Sequence, residues 1–116
     1  MNSTAVIWGI PNCDTVKRMR AALMAAGWAV DFRDFKKLGV PTDRLAAWTA
    51  AVGWERLLNR QGTTWKKLSA TEQAAVVDAA SAAVLMRAQS SVIKRPVIEW
   101  PDGRITVGMV PVSRLL

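Results

Sequence analysis

The sequence predicts an α/β domain: a mixed four-stranded sheet covered by helices, with a helical insertion in its middle. Three features of the 116 residues carry this reading. A strand–helix–strand order opens the chain, helical periodicity fills its centre, and a Pro-Asp-Gly turn between two short apolar runs closes it.

Thr4 to Trp8 is a β-branched and aromatic run suited to a buried strand. A helix is expected from about Asp14 to Ala26, because Val16, Met19, Leu23 and Ala26 recur at helical spacing and Gly27 supplies a stop. Trp28 to Phe35 alternates as a second strand would, with Trp28, Val30 and Phe32 on one side and Asp31 and Arg33 on the other. Such a unit implies a parallel pair with a right-handed crossover, and ligands in these sheets sit beyond the carboxyl ends of the strands. Pro41-Thr42-Asp43 starts a helix whose apolar face is Leu45, Trp48 and Val52 and which ends at Gly53. Trp54 to Asn59 adds a turn or two, and Arg60 to Thr64 reads as a loop. Ser69-Ala70-Thr71-Glu72 has capping-box spacing. The alanine-rich segment from there to about Ala88, with Val76, Ala80, Ala83 and Val84 facing inward, is expected to be the longest helix. Pro96 to Trp100 and Ile105 to Val107 flank Pro101-Asp102-Gly103-Arg104 as an antiparallel hairpin, and a helix is expected to resume over Pro111 to Leu116. No repeat or linker interrupts this order, so residues 1–116 are expected to form one domain.

Composition removes several function classes. There is no histidine and a single cysteine, so no Cys-His or Ser-His pair, no imidazole base and no internal disulfide can form, and a zinc site would need all-carboxylate ligation. No metal or bound cofactor is expected. Sixteen basic against nine acidic residues give a formal charge of +7, which favours anionic partners: nucleic acid, an oxyanion, or an acidic small thiol such as glutathione. The basic residues are scattered and no nucleic-acid-binding motif is present, so nucleic acid is the weakest of these. The absence of a disulfide framework, a signal segment and a long apolar run points to a cytoplasmic protein without membrane contact.

Cys13 follows a strand and a proline and precedes a helix, which is where a thiol is readily made reactive. Helix starts offer unpaired N–H groups and the positive end of the helix dipole, both of which stabilise a thiolate. A thiol of pKa about 8.5 is ~3% ionised at pH 7 and one of about 6.5 is ~75% ionised, a difference of roughly 2.7 kcal/mol. Lys17 and Arg18 would favour ionisation, and Asp14 would oppose it. The bland alternative is a buried free cysteine acting as a small hydrophobe.

Three segments, Gly9 to Lys17 (GIPNCDTVK), Leu57 to Trp65 (LLNRQGTTW) and Ile93 to Ile98 (IKRPVI), together resemble the arsenate reductase (ArsC-like) family, in its YffB branch, which is related to the Spx regulators. The resemblance covers nearly the whole chain and implies a thioredoxin-like fold. It implies that Cys13 is the catalytic nucleophile, that Arg60 and Arg95 hold an oxyanion and stabilise the thiolate, and that Asn12, Asp14 and Thr15 line the same anion site. Guanidinium forks suit that role because they stay charged and match oxyanion geometry. Pro96 is expected to be cis, facing Cys13, as in thioredoxin-like folds. A further arginine of the reductases falls at Gly108, which counts against arsenate itself as substrate. The second cysteine of the Spx C-x-x-C pair falls at Val16, so any disulfide must be intermolecular. The function implied is a thiol-dependent oxidoreductase in which glutathione, as co-substrate, or a glutaredoxin releases the Cys13 adduct. The alternative is a non-enzymatic, redox-responsive regulator that binds RNA polymerase.

Of the six tryptophans, Trp8, Trp28 and Trp48 fall on the apolar periodicity of their elements and are expected in the core. Trp65, in the segment after Arg60, is the one placed to approach a ligand.

Overall fold

The computed structural model describes residues 3–111. They form two compact units: one runs to Leu38 and resumes at Arg95, and the other spans Gly39–Lys94.

The first unit holds the sheet. β1 (Thr4–Gly9) leads into helix α1 (Asp14–Ala25), which returns to β2 (Ala29–Asp34) and a single turn, α2 (Phe35–Leu38). The hairpin β3 (Val97–Glu99) and β4 (Ile105–Val107) completes it. Strand order is β2-β1-β3-β4, with β1 and β2 parallel and the other pairs antiparallel, which is the mixed four-stranded sheet expected. Alternation along the strands gives two faces. On one, Met19 and Leu23 of α1 pack with Ala5, Ile7, Ile98 and Trp100, bordered by Trp28, Val30, Phe32 and Val110. Complete burial of side chains such as Met19 and Leu23 stabilises by about 1.5–3 kcal/mol each. On the other, Trp8 stacks on Phe35 with ring centroids 6.1 Å apart. The Arg33 guanidinium lies over the same indole, whose Nε1–H donates to Glu99 Oε1 at 3.1 Å. Ala26, expected on the inner face, is exposed because the helix has already ended.

The second unit is helical: α3 (Thr42–Val52), α4 (Trp54–Leu57), α5 (Thr63–Lys66), α6 (Ala70–Ala74) and α7 (Ala79–Ala88), followed by a 3-10 turn at Ser90–Val92. Its buried residues include Leu45, Trp48, Leu57, Leu58, Ala82, Met86, Val92 and Ile93. Leu58 and Ile93 form an isolated antiparallel bridge, reinforced by Asn59 N–H to Val92 O (2.7 Å) and Lys94 N–H to Leu57 O (2.8 Å).

Several expectations for this unit are corrected. The alanine-rich segment is two helices, and α1, with 12 residues, is longer than either. The predicted capping box at Ser69 and Glu72 is present, but a second one at Asp78 starts α7 afresh. Asp78 adopts an extended backbone and accepts from Ser81 N–H at 2.9 Å, while Ser81 Oγ accepts from Asp78 N–H at 3.1 Å. The restart changes the helical phase, so Ala82 and Met86 are buried whereas Ala80 and Val84 are exposed and Val76 and Ala83 half-buried. Thr63 and Thr64 belong to α5 rather than a loop, and α4 stops at Leu57. Pro111 lies outside regular structure, and the rest of the expected terminal helix lies outside the described residues. Among the described residues no helix is long and apolar enough to cross a membrane, and no cluster of acidic and thiol side chains could hold a metal ion.

Candidate active site

Strand register brings the site together. Trp8 of β1 faces Val97 of β3, and Val97 faces Val107 of β4. Because both pairings are antiparallel, the segment leaving β1, the segment entering β3 and the residue ending β4 meet at one end of the sheet. These carry Cys13, Arg95 and Gly108.

Cys13 is the N-cap of α1, with an extended backbone (φ −106°, ψ 122°). Its N–H donates to Ile10 O at 3.3 Å, and its carbonyl accepts from Lys17 N–H at 2.9 Å, the first bond of the helix. A side chain at an N-cap hangs over the second and third helical amides, which here belong to Thr15 and Val16. In place of the usual oxygen stands a partly exposed sulfur. It makes no regular cap hydrogen bond, but both N–H groups lie on the side from which they lower its pKa.

The Cys13 thiol is held below its ordinary pKa. Partial burial is the largest single influence and opposes ionisation; it is outweighed by the Val16 N–H, by the Arg95 guanidinium acting through a hydrogen bond and through its charge, and by the Thr15 N–H. Asp14, expected to oppose ionisation, and Lys17 and Arg18, expected to assist it, are exposed and do not figure among these influences, as solvent screening dictates. Asn12 is exposed in the turn before the sulfur; Thr15 is half-buried and contributes through its amide.

Arg95 is half-buried and precedes a cis peptide bond to Pro96, as expected. The Pro96 carbonyl accepts from Gly108 N–H at 2.9 Å, which extends the ladder beyond β4. Gly108 is buried with φ +79°, a backbone that side chains rarely adopt, so the position at which the resemblance leads one to expect a further arginine is a backbone turn.

Arg60 is exposed in the second unit, and its guanidinium carbon lies 5.8 Å from the Trp54 ring centroid and 5.7 Å from that of Trp65. Trp65, expected near a ligand, is half-buried as one wall of this arginine's setting. Trp54 was not legible as its second wall, since its position at a helix start is equally that of a packing residue. The Thr15 and Val16 amides were legible only as the generic donors of a helix start.

The ArsC family profile matches residues 8–111. Among solved structures, a protein named YFFB is 43% identical with a TM-score of 0.87, the alignment covering 96% of both chains. An arsenate reductase (ArsC) related protein from Brucella melitensis is 45% identical with a TM-score of 0.75, covering 96% of this chain and 91% of its own. An uncharacterized protein of Haemophilus influenzae is 29% identical over 102 residues, 88% of each chain. With the thioredoxin-like sheet, the cysteine at the start of α1 and a profile match over most of its length, the chain belongs to the ArsC family.

Proposed function

We propose that the chain is a thiol-dependent oxidoreductase in which the Cys13 thiolate is the nucleophile and Arg95 the anion-binding group. The observation that carries this reading is a partly exposed sulfur at the N-cap of α1, its thiol held below the ordinary pKa by the Val16 N–H, the Arg95 guanidinium and the Thr15 N–H. With no histidine in the chain to take a proton during attack, the nucleophile must be ionised beforehand. The local arrangement favours that state, and the relation to an arsenate reductase related protein is consistent with it.

With a mixed disulfide R–S–S–R′, Cys13 Sγ bonds to one sulfur and expels R′–S⁻; a glutathione thiolate then attacks the adduct, restores the Cys13 thiolate and leaves as R–S–S–glutathione. With an oxyanion, Sγ displaces one oxygen as hydroxide. Glutathione next attacks Sγ, and the central atom departs with the former S–X bonding pair, reduced by two electrons. A second glutathione thiolate, or a glutaredoxin, frees Cys13 from its disulfide. Val16 stands where a resolving cysteine would be needed, so the second thiol must come from outside the chain. The Thr15 and Val16 amides and Arg95 meet negative charge that develops at the sulfur or on the substrate.

Cys13→Ser should abolish glutathione-dependent reduction of a mixed-disulfide substrate while leaving the circular dichroism spectrum unchanged. Turnover retained in the folded variant refutes the proposal. Capture of RNA polymerase subunits without any thiol turnover would instead favour the regulator.

A further inference from the structure

β1 ends at Gly9, opposite Asp34 of β2 and just before the turn that delivers Cys13. A β-carbon at Gly9 would lie 2.9 Å from Val16 Cγ2, 3.5 Å from Val16 Cγ1 and 3.8 Å from Phe32 Cε1. Carbon atoms pack at about 3.5–4.0 Å, so the first of these is a collision. Val16 cannot easily yield. It is fully buried, and a valine in a helix has essentially one χ1 rotamer. Relief must come from displacing the first turn of α1, and that turn bears the N–H groups over the sulfur.

We propose that Gly9 is a positioning residue: its bare α-carbon lets the Val16 side chain seat against the end of β1, and this contact fixes the first turn of α1 with the Val16 N–H directed at Cys13 Sγ. The inference rests on the reading of Cys13 as the nucleophile and adds a residue that never touches substrate. It gives both residues a role beyond the hydrophobic core: the side-chain contact of Val16 aims its own peptide group. A larger residue at position 9 would keep the sheet and the residue types of the site, yet shift the first turn of α1 and so misalign its amides with the Cys13 sulfur.

The test is the pH dependence of Cys13 alkylation in the unaltered chain, Gly9→Ala and Gly9→Ala/Val16→Ala, with folding followed by circular dichroism and thermal melting. Gly9→Ala should move the midpoint upward and lower the rate at pH 6 at least about threefold. Trimming Val16 to alanine removes the colliding methyls and keeps the amide, so the double variant should return to within about twofold of the unaltered rate. Should Gly9→Ala not fold, Val16→Ile, which adds a carbon to the same contact from the helix side, carries the same expectation. A folded variant with an unmoved midpoint, or a shift that the double variant does not relieve, overturns the proposal. An unaltered chain that titrates like a free thiol removes the reactive thiolate itself, a result distinguishable from a failure confined to the Gly9 variants.

Discussion

Replacing Arg95 with alanine removes the guanidinium that helps hold the Cys13 thiol below its ordinary pKa, and the size of the effect follows from how exposed that sulfur is. Opposite unit charges at about 4 Å attract by ~1 kcal/mol in water and ~4 kcal/mol at an effective dielectric constant of about 20. A partly exposed sulfur lies between these limits, screening discounts the upper one, and water entering the vacated space returns part of the lost solvation. The thiolate should therefore lose about 1–2 kcal/mol, which is a five- to thirtyfold fall in alkylation rate at a pH below the midpoint. Arg95→Lys keeps the charge without the planar fork and should fall between the two. The same variant tests linkage. A depressed thiol pKa adds stability that is complete above the unfolded value, about 8.5, and fades as pH falls through the folded value. Relative to the unaltered chain, Arg95→Ala should flatten that rise in stability between the two values. A folded Arg95→Ala whose alkylation profile stays within twofold of the unaltered one would show that the helix amides alone hold the anion.

Three further outcomes follow from the geometry. Gly108→Arg places there the residue that the family resemblance leads one to expect but forces it into a left-handed backbone; at about 1–2 kcal/mol for that conformation, thermal melting should drop by several degrees, and unchanged melting would contradict the assigned turn. Asp78→Ala removes the carboxylate half of the second capping box, leaving its own N–H on Ser81 Oγ, and should lower the melting temperature; because the Ser81 backbone and hydroxyl hold the Asp78 carboxyl below its usual pKa, the advantage of the unaltered chain should vanish as pH falls through that depressed value. Arg60→Ala should change tryptophan fluorescence by taking the cation from beside Trp54 and Trp65, and, if Arg60 holds substrate charge, should raise KM without moving the Cys13 titration; an unchanged KM would reduce Arg60 to a surface residue packed on two rings.

The strands and α1 were legible because short elements with strong punctuation leave little choice: alternation at Trp28, Val30 and Phe32, helical spacing at Val16, Met19 and Leu23, and Asp102-Gly103 in the hairpin turn. The alanine-rich segment was not, because alanine fits every face of a helix and so conceals both the phase and a break. What splits it is one aspartate whose reciprocal bonds with Ser81 replace the usual glutamate partner of a capping box, a pairing the common spacing rule does not cover. At the site, Cys13 and Arg95 were readable as residue types. The contribution of Gly9 was not, because a close approach between a strand end and a helix side chain leaves no periodic trace.

The site can dispense with histidine because topology places the charges. In a parallel arrangement of β1 and β3, Arg95 would enter at the opposite end of the sheet from Cys13; the antiparallel pairing of Trp8 with Val97 puts the start of β3 beside the exit of β1. β4 then runs back antiparallel to β3 and delivers Gly108 to the Pro96 carbonyl, so the residue following Arg95 is held from the β4 side while Val97, next to it, is paired with Trp8 of β1. A guanidinium anchored in this way needs no mobile proton carrier, and the thiolate it faces is set by backbone positions that a pH change does not disturb. It follows that the attack of Cys13 on a mixed disulfide, the step before glutathione enters, should track the ionisation of a single group. A pH profile of kcat/KM for the mixed disulfide with one ascending limb, at the midpoint found by Cys13 alkylation, is what this architecture requires; a second limb in that parameter would mean that another group of the protein takes part in the attack.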